Sequence, residues 1–350
     1  MSVQRIAVCE AQVPFVRGGA EYLVRTLVQQ LRARGYDAEL VSIPFKWYPK
    51  DELLSHAAAW RLVDLSESNG RSIDLAIGTK FPTYFVRHPN KVAWLVHQHR
   101  AAYELIGTPY SDFSHVETDV GLRETLLRLD RAMLEECQRL FAIAQNIAVR
   151  LATFNGLEAK PLYHPPPFAD RLEPGPQGDY ILFVSRLEGI KRPELAVQAM
   201  CTVDRPLRLV VVGEGSNRGR VEKLVESLDL GDRVSILGAV PEDELLALYK
   251  GALAVLYTPY DEDFGYVTLE AFLAQKPLVT VTDAGGPLEF VEDGVNGHVC
   301  EPVPEALAGA LNRLAADRPR AARLGMAGYE RARLITWDGV IEALVPGYRP

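Results

Sequence analysis

Apolar and polar residues follow two rhythms along this chain, and the rhythms take turns. Arg5-Ile6-Ala7-Val8-Cys9 is a short run of the kind that forms a strand buried on both faces. Ala20 to Arg34 follows with Leu23, Leu27 and Leu31 on one helical stripe. Ala38 to Ile43, Ile73 to Ile77, Val92 to Val96 and Leu140 to Ala144 read as further strands, and Arg123 to Arg139 as a charged amphipathic helix. From His164 to Tyr180 the pattern lapses. His164-Pro165-Pro166-Pro167 and Pro174-Gly175-Pro176 read as an interdomain connection, stiff at its start. Alternation then restarts. Tyr180 to Val184, Leu207 to Val212, Val234 to Leu237, Leu253 to Tyr257 and Pro277 to Val281 are strands. Pro193 to Met200, Arg218 to Ser227, Glu242 to Lys250 and Val267 to Gln275 are the helices between them.

Strand and helix in alternation imply parallel sheets covered by helices. The expected fold class is α/β, with two Rossmann-like, doubly wound parallel-sheet domains facing across a cleft. The expected boundaries are 1–165 for the first domain and 166–336 for the second, with 337–350 as a helix returning to the first. Open parallel sheets bind ligands at the carboxyl ends of their strands. Each motif below falls at such an end.

Charge narrows the ligand. The 350 residues carry a net charge of −8, which argues against a general nucleic-acid binder. The imbalance is uneven: residues 1–165 hold 19 Lys+Arg against 18 Asp+Glu, which leaves −9 for the remainder. The first half is therefore the one able to approach an anionic surface. Cys9, Cys137, Cys201 and Cys300 are far apart, so free thiols and a cytoplasmic setting are expected, and no signal peptide is read at the start. No apolar run reaches the roughly 18 residues of a membrane span.

The densest chemistry lies in Glu262-Asp263-Phe264-Gly265-Tyr266-Val267-Thr268-Leu269-Glu270. Here a strand-end loop carries one carboxylate and the following helix carries another. Between them, the N–H groups near Gly265 open that helix and attract phosphate. A carboxylate above an anion site and another below it suit a diphosphate with a sugar at each end. The plainer reading is an acidic solvated loop; Glu270, set in an apolar helix, resists it because a buried carboxylate needs a partner. In Ser185-Arg186-Leu187-Glu188-Gly189-Ile190-Lys191-Arg192, Arg186 and Lys191 bracket a tight turn and can reach one diphosphate. A solvated basic loop is the alternative. Gly18-Gly19 follows the first strand and opens the first helix, where glycines let a phosphate approach backbone N–H groups, with a mere turn as the alternative; Gly213-Glu214-Gly215 and Leu237-Gly238 each end a strand, and each alone is more often structural. Asp283-Ala284-Gly285-Gly286-Pro287-Leu288-Glu289 reads as a glycine turn opening a helix that faces the carboxylate pair. His97-Gln98-His99-Arg100 follows a first-domain strand.

Taken together, Glu262 to Glu270, Arg186 with Lys191, Gly213 to Gly215, Leu237-Gly238, Gly285-Gly286-Pro287 with Glu289, and Asp293-Gly294 with Asn296-Gly297 resemble the C-terminal lobe of retaining glycosyltransferases of family four. The match runs over roughly residues 180–335, and Gly18-Gly19 extends it to the start. The resemblance implies a GT-B fold and metal-independent sugar transfer, with no cofactor beyond the nucleotide-sugar donor. It places Arg186 and Lys191 on the donor diphosphate, Glu270 on the ribose, and Glu262 on the transferred sugar. The backbone of Asp263, Phe264, Gly265 and Tyr266 would hold phosphate or sugar, Leu237 and Gly238 the base, and Gly18, Gly19 and Gly213 approach the ligand closely. His97 would lie near the reacting carbon. Asp263 stands where the family commonly has glycine, and Ser185 where it commonly has glycine before the arginine.

The implied partners are a nucleotide-sugar, with a UDP-sugar favoured over a GDP-sugar, and a glycan or lipid-linked acceptor of envelope polysaccharide. Peripheral membrane association through the first domain is open. A nucleotide-sugar epimerase of similar fold and a non-catalytic nucleotide-sugar binding subunit stand as alternatives. A Rossmann dehydrogenase is weakest, because neither lobe opens with Gly-x-Gly-x-x-Gly.

Overall fold

The computed structural model describes residues 3–16 and 18–348 and divides into two compact units, residues 1–164 with 336–350, and residues 165–335. The Pro-rich stretch from Pro165 onward falls to the second unit, where a connection between domains was expected. The Lys276 ammonium donates to the Gly175 carbonyl at 2.8 Å, and Arg171 pairs with Glu242 and Asp243.

The main sheet of the first unit holds β1 (Arg5–Gln12), β2 (Asp37–Pro44), β3 (Leu75–Gly78), β4 (Lys91–Leu95), β5 (Arg139–Ala142) and β6 (Lys160–Pro161), all parallel, in the order β2-β1-β3-β4-β5-β6, and a small antiparallel hairpin pairs Glu67–Ser68 with Arg71–Ser72. The central strands are largely apolar because helices cover both faces, with Glu10 in β1 and Lys91 in β4 as buried exceptions. These helices are α1 (Gly19–Ala33), α2 (Glu52–Leu62), α3 (Glu117–Glu135) and α4 (Gln145–Asn155). The predicted stripe on α1 is real: Leu23, Leu27 and Leu31 are all buried. Full burial of such a side chain contributes about 1.5–3 kcal/mol. Helix α3 begins and ends several residues earlier than its charge pattern suggested.

The second sheet, also wholly parallel, holds β7 (Tyr180–Val184), β8 (Arg208–Val212), β9 (Val234–Gly238), β10 (Ala254–Leu256), β11 (Leu278–Val281) and β12 (Gly297–Cys300), in the order β9-β8-β7-β10-β11-β12. Its helices are α5 (Pro193–Ala199), α6 (Arg218–Ser227), α7 (Glu242–Gly251), α8 (Tyr266–Leu273), α9 (Pro304–Ala316) and α10 (Arg318–Ala332).

The last helix, α11 (Trp337–Leu344), belongs to the first unit. Arg34 at the end of α1 binds Asp338 at 2.6 Å, and the Arg139 guanidinium donates to the Ala343 and Leu344 carbonyls at 2.6 and 2.9 Å. The segment expected to be helical over 337–350 is helical only to Leu344, and residues 349 and 350 lie outside the described residues.

Candidate functional site

In the second sheet, β7 and β10 are neighbours at the point where strand order reverses. Chains leaving two such strands turn to opposite faces and open a crevice at the carboxyl ends. The loop after β7 carries Arg186 and Lys191. The loop after β10 carries Glu262 and leads into α8.

Arg192, which the sequence reading passed over, ties these loops together. Its guanidinium grips Asp283 at 2.6 and 2.9 Å and donates to the carbonyls of Thr258 at 2.9 Å and Pro259 at 2.6 Å. A fork of fixed donors is suited to such a junction. The Glu262 backbone pairs with the loop after β11: its N–H donates to the Ala284 carbonyl and its carbonyl accepts from Gly286 N–H, both at 2.7 Å. Gly285 has φ +75°, and a Cβ there would sit 2.7 Å from both Glu262 N and O. The 283–289 turn is therefore bonded to the Glu262 loop, where it was expected to face the pair. It also opens only a short 3₁₀ turn, Gly286–Glu289, and not an α-helix.

The Glu262 carboxylate receives the Lys191 ammonium and, at 3.0 Å, the Tyr257 hydroxyl. Both ion-pair partners are mostly buried. Glu270 sits one turn into α8, 7% exposed, and accepts a 2.5 Å hydrogen bond from the buried Tyr249 hydroxyl of α7. Burial pushes the Glu270 carboxyl up to about 7, against the pull of that hydrogen bond. Burial likewise raises the Tyr257 hydroxyl, with the Glu270 and Asp263 charges adding to the rise and Arg186 opposing it. Arg186 itself is exposed and makes no ion pair among the described residues. Phe264 is buried, packed edge-on against Tyr266 and Phe290 with centroids 5.5 Å apart in each case. Gly265, in the left-handed region at φ +82°, starts α8.

Beside this crevice, the Gly213-Glu214-Gly215 backbone supports the Arg186 loop, with Leu187 N–H donating to the Glu214 carbonyl at 2.9 Å. At the end of β9 a register shift sets Leu237 outside the ladder, because Val211 pairs with Ile236 and Val212 with Gly238. Leu237 is consequently an exposed apolar side chain next to Gly238.

The remaining predicted residues stand in the first unit. Gly18 donates its N–H to Glu21 Oε2 at 2.9 Å, and Lys80 binds Glu21 Oε1 at 2.6 Å. Burial disfavours the Glu21 charge, but Lys80 and the backbone donors hold its carboxyl below the ordinary range. The start of α1 thus already contains a compensated carboxylate. His97, just past β4, holds its Nδ1 2.6 Å from the Gln98 carbonyl. Burial, reinforced by His97, lowers the neighbouring His99 to about 4, so that ring is neutral at physiological pH. The run Asp261-Glu262-Asp263 has an Asp-x-Asp spacing, but among the described residues no three His, Cys, Asp or Glu side chains converge as a metal site.

Sequence reasoning missed Tyr249, Tyr257, Arg192 and Asp283. Arg192 alone left a signal, as the third cation of its loop.

Two parallel sheets of this order, with a strand-end crevice rich in cations and carboxylates, define the GT-B class of fold. Residues 169–331, most of the second unit, match the glycosyl transferases group 1 family. The chain is 29% identical over 244 residues to a D-inositol 3-phosphate glycosyltransferase of Nocardia farcinica, covering 63% of this chain and 54% of that one. It therefore spans about half the length of this relative. Sucrose-phosphate synthase from Thermosynechococcus elongatus superposes with a TM-score of 0.73 at 21% identity, covering 96% of each chain. Anabaena Alr3699/HepE, in complex with UDP and glucose, superposes with a TM-score of 0.68 at 18% identity, covering 95% of this chain and 96% of that one.

Proposed function

We propose that this chain is a retaining, metal-independent glycosyltransferase that moves a sugar from a nucleotide-diphosphate donor to a glycan or lipid-linked acceptor. The observation that carries this reading is the convergence of Arg186, Lys191, Glu262 and Glu270 at the switch point of the second sheet. Exposed Arg186 and the Lys191 ammonium meet the diphosphate, together with the start of α8. Such preorganised charge is worth most as the glycosidic bond breaks and the leaving diphosphate gains charge. Glu262 takes hydroxyls of the transferred sugar, with Lys191 and Tyr257 holding its carboxylate in place. Glu270 takes the ribose hydroxyls, and exposed Leu237 lies under the base. The acceptor oxygen bonds to the anomeric carbon on the face the diphosphate leaves, and the departing phosphate oxygen takes the acceptor proton.

A UDP-sugar is the favoured donor, supported by the likeness to a protein whose complex contains UDP and glucose. The acceptor side falls to the first unit. There an open cavity of about 500 Å³, lined by Tyr48, Lys50, Asp51, Asp112, Thr118 and Asp119, combines an aromatic ring with groups that bond sugar hydroxyls. We place the activity in the cytoplasm, in envelope polysaccharide or glycoconjugate synthesis, with peripheral membrane contact through the first unit. Among the described residues no helix is long and apolar enough to cross a membrane.

Two outcomes test this reading. Transfer from UDP-glucose should persist in EDTA at essentially the untreated rate. Activity lost to chelation and restored by magnesium or manganese would contradict the role given to Arg186 and Lys191. Incubation without acceptor should yield at most slow hydrolysis, whereas an epimerase would release a new nucleotide-sugar.

Glu270 supplies a third outcome. Glu270→Ala should weaken donor binding by about 1.5–3 kcal/mol, the worth of hydrogen bonds to a charged group. The carboxyl titrates at about 7 and accepts best when ionised, so wild-type affinity should fall as pH drops below about 7. UDP-glucose is the right probe, because a nucleoside diphosphate has a terminal phosphate that itself titrates near 6. Glu270→Gln should flatten the profile. An unchanged slope in calorimetry on this variant sinks the ribose assignment.

A further inference from the structure

The open cavity of the first unit combines a fixed ion pair with apolar side chains. Its lining comes from the loop after β2 and from residues 112–122, before and within the start of α3. Asp119 is 8% exposed and anchored through one oxygen. The Lys50 ammonium at 2.8 Å, and the Ser114 N–H and hydroxyl at 2.7 and 2.8 Å, all donate to Oδ2. These donors, Lys50 first, hold the Asp119 carboxyl down at about 2, so it is ionised at physiological pH. Oδ1 makes no hydrogen bond among the described residues, so a largely buried carboxylate keeps one accepting oxygen for a ligand. Lys50 lies over the Phe113 ring, 5.0 Å from its centroid, and an ammonium has donors to spare beyond Asp119. Tyr48, Pro49 and Leu122 supply the apolar lining. Tyr48 is 58% exposed, with Trp47 packed edge-on against it at 5.3 Å. Asp51 and Asp112 also line the cavity and make no ion pair among the described residues. Three carboxylates and one ammonium leave the cavity with a net charge of −2.

A sugar ring is apolar on its faces and polar at its edge. An exposed aromatic side chain accepts such a face. Vicinal hydroxyls each donate and accept, which matches a carboxylate oxygen beside an ammonium, and hydrogen bonds to charged groups are the stronger kind. A phosphorylated sugar would bring its own negative charge among Asp51, Asp112 and Asp119, and like-charge contact of this kind rejects a ligand. We propose that this cavity binds an uncharged sugar ring, stacked on Tyr48 and bonded through vicinal hydroxyls to Asp119 and Lys50, with Asp51 and Asp112 turning phosphorylated sugars away. Binding rests on the cavity itself. That the bound ring belongs to the acceptor rests on the function proposed above.

The test reads binding without transfer. Saturation-transfer difference NMR on the full chain uses the methyl α-D-glycosides of glucose, mannose and galactose as probes. At least one should bind saturably below about 50 mM, and Tyr48→Ala should weaken it about tenfold or more, through loss of the stacked ring. The 6-phosphate of the sugar that binds should be weaker than its methyl glycoside by about tenfold, and Asp51→Asn combined with Asp112→Asn should narrow that gap. No saturable binding by any of the three, binding untouched in folded Tyr48→Ala, or a 6-phosphate that binds as tightly overturns the proposal. Should the variants fail to fold, the comparison of neutral and phosphorylated sugar on the wild-type protein still decides. Calorimetry with UDP-glucose tests the donor reading separately. Glycoside binding without UDP-glucose binding supports this site and removes the proposed transfer; UDP-glucose binding without glycoside binding does the reverse.

Discussion

Alanine at Lys191 or Arg186 is expected to lower turnover by about 100-fold or more, the loss that follows removal of one preorganised charge-stabilising donor. The two variants should differ in kind. Arg186 is exposed and makes no ion pair among the described residues, so Arg186→Ala removes a charge that waits for the ligand and leaves stability nearly unchanged. Lys191 is paired with Glu262, and only 12% and 17% of the two side chains are exposed. Lys191→Ala therefore also removes the cation beside a mostly buried carboxylate, and some stability should go with the activity. In both, kcat should fall and not merely KM rise, because the charge they meet grows as the bond breaks. Steady-state kinetics at saturating donor and acceptor checks this. Turnover within about threefold of wild type for both would make the loop a solvated basic turn.

Gly213→Ala is expected to destabilise the second unit by about 2–5 kcal/mol, through left-handed strain and overpacking together. Gly213 has φ +133°, and a Cβ there would sit 1.8 Å from the Ser185 carbonyl oxygen. Its N–H also donates to the Gly238 carbonyl at 2.8 Å, so the backbone cannot swing away cheaply. Gly219→Ala is the control: it lies in α6 with open space at its Cβ, and alanine there should stabilise by about 0.5–1 kcal/mol. Thermal unfolding separates the two. A Gly213→Ala loss below about 0.5 kcal/mol would show that the two loops do not pack as described.

The central strands were legible because β1, β4, β7 and β10 are largely apolar on both faces, and only a doubly covered parallel sheet has use for that. Helix α1 was legible from its leucine stripe. Helix α2 was not: Leu53, Ala57 and Trp60 form a buried face, but the alanines between them and the exposed Leu62 blur the stripe. The 283–289 turn suggested a helix because Pro287 suits a first turn, yet its pairing with Glu262 leaves room for one 3₁₀ turn.

Within the site, residue types and strand-end placement pointed to Arg186, Lys191, Glu262 and Glu270. Contacts between distant positions stayed hidden. Nothing local joins Arg192 to Asp283 or Tyr249 to Glu270; the sheet order brings each pair together. The outward set of Leu237 arises from a one-residue slip between β8 and β9, which no periodicity records.

Calorimetric titration of the wild-type protein with UDP-glucose, in EDTA at pH 8, tests the central claim most directly. The account predicts saturable binding at one site per chain, lost or weakened at least about tenfold by Glu270→Ala and by Arg186→Ala. Wild-type affinity retained in both folded variants, or no binding of UDP-glucose or a GDP-sugar at millimolar concentration, would contradict it.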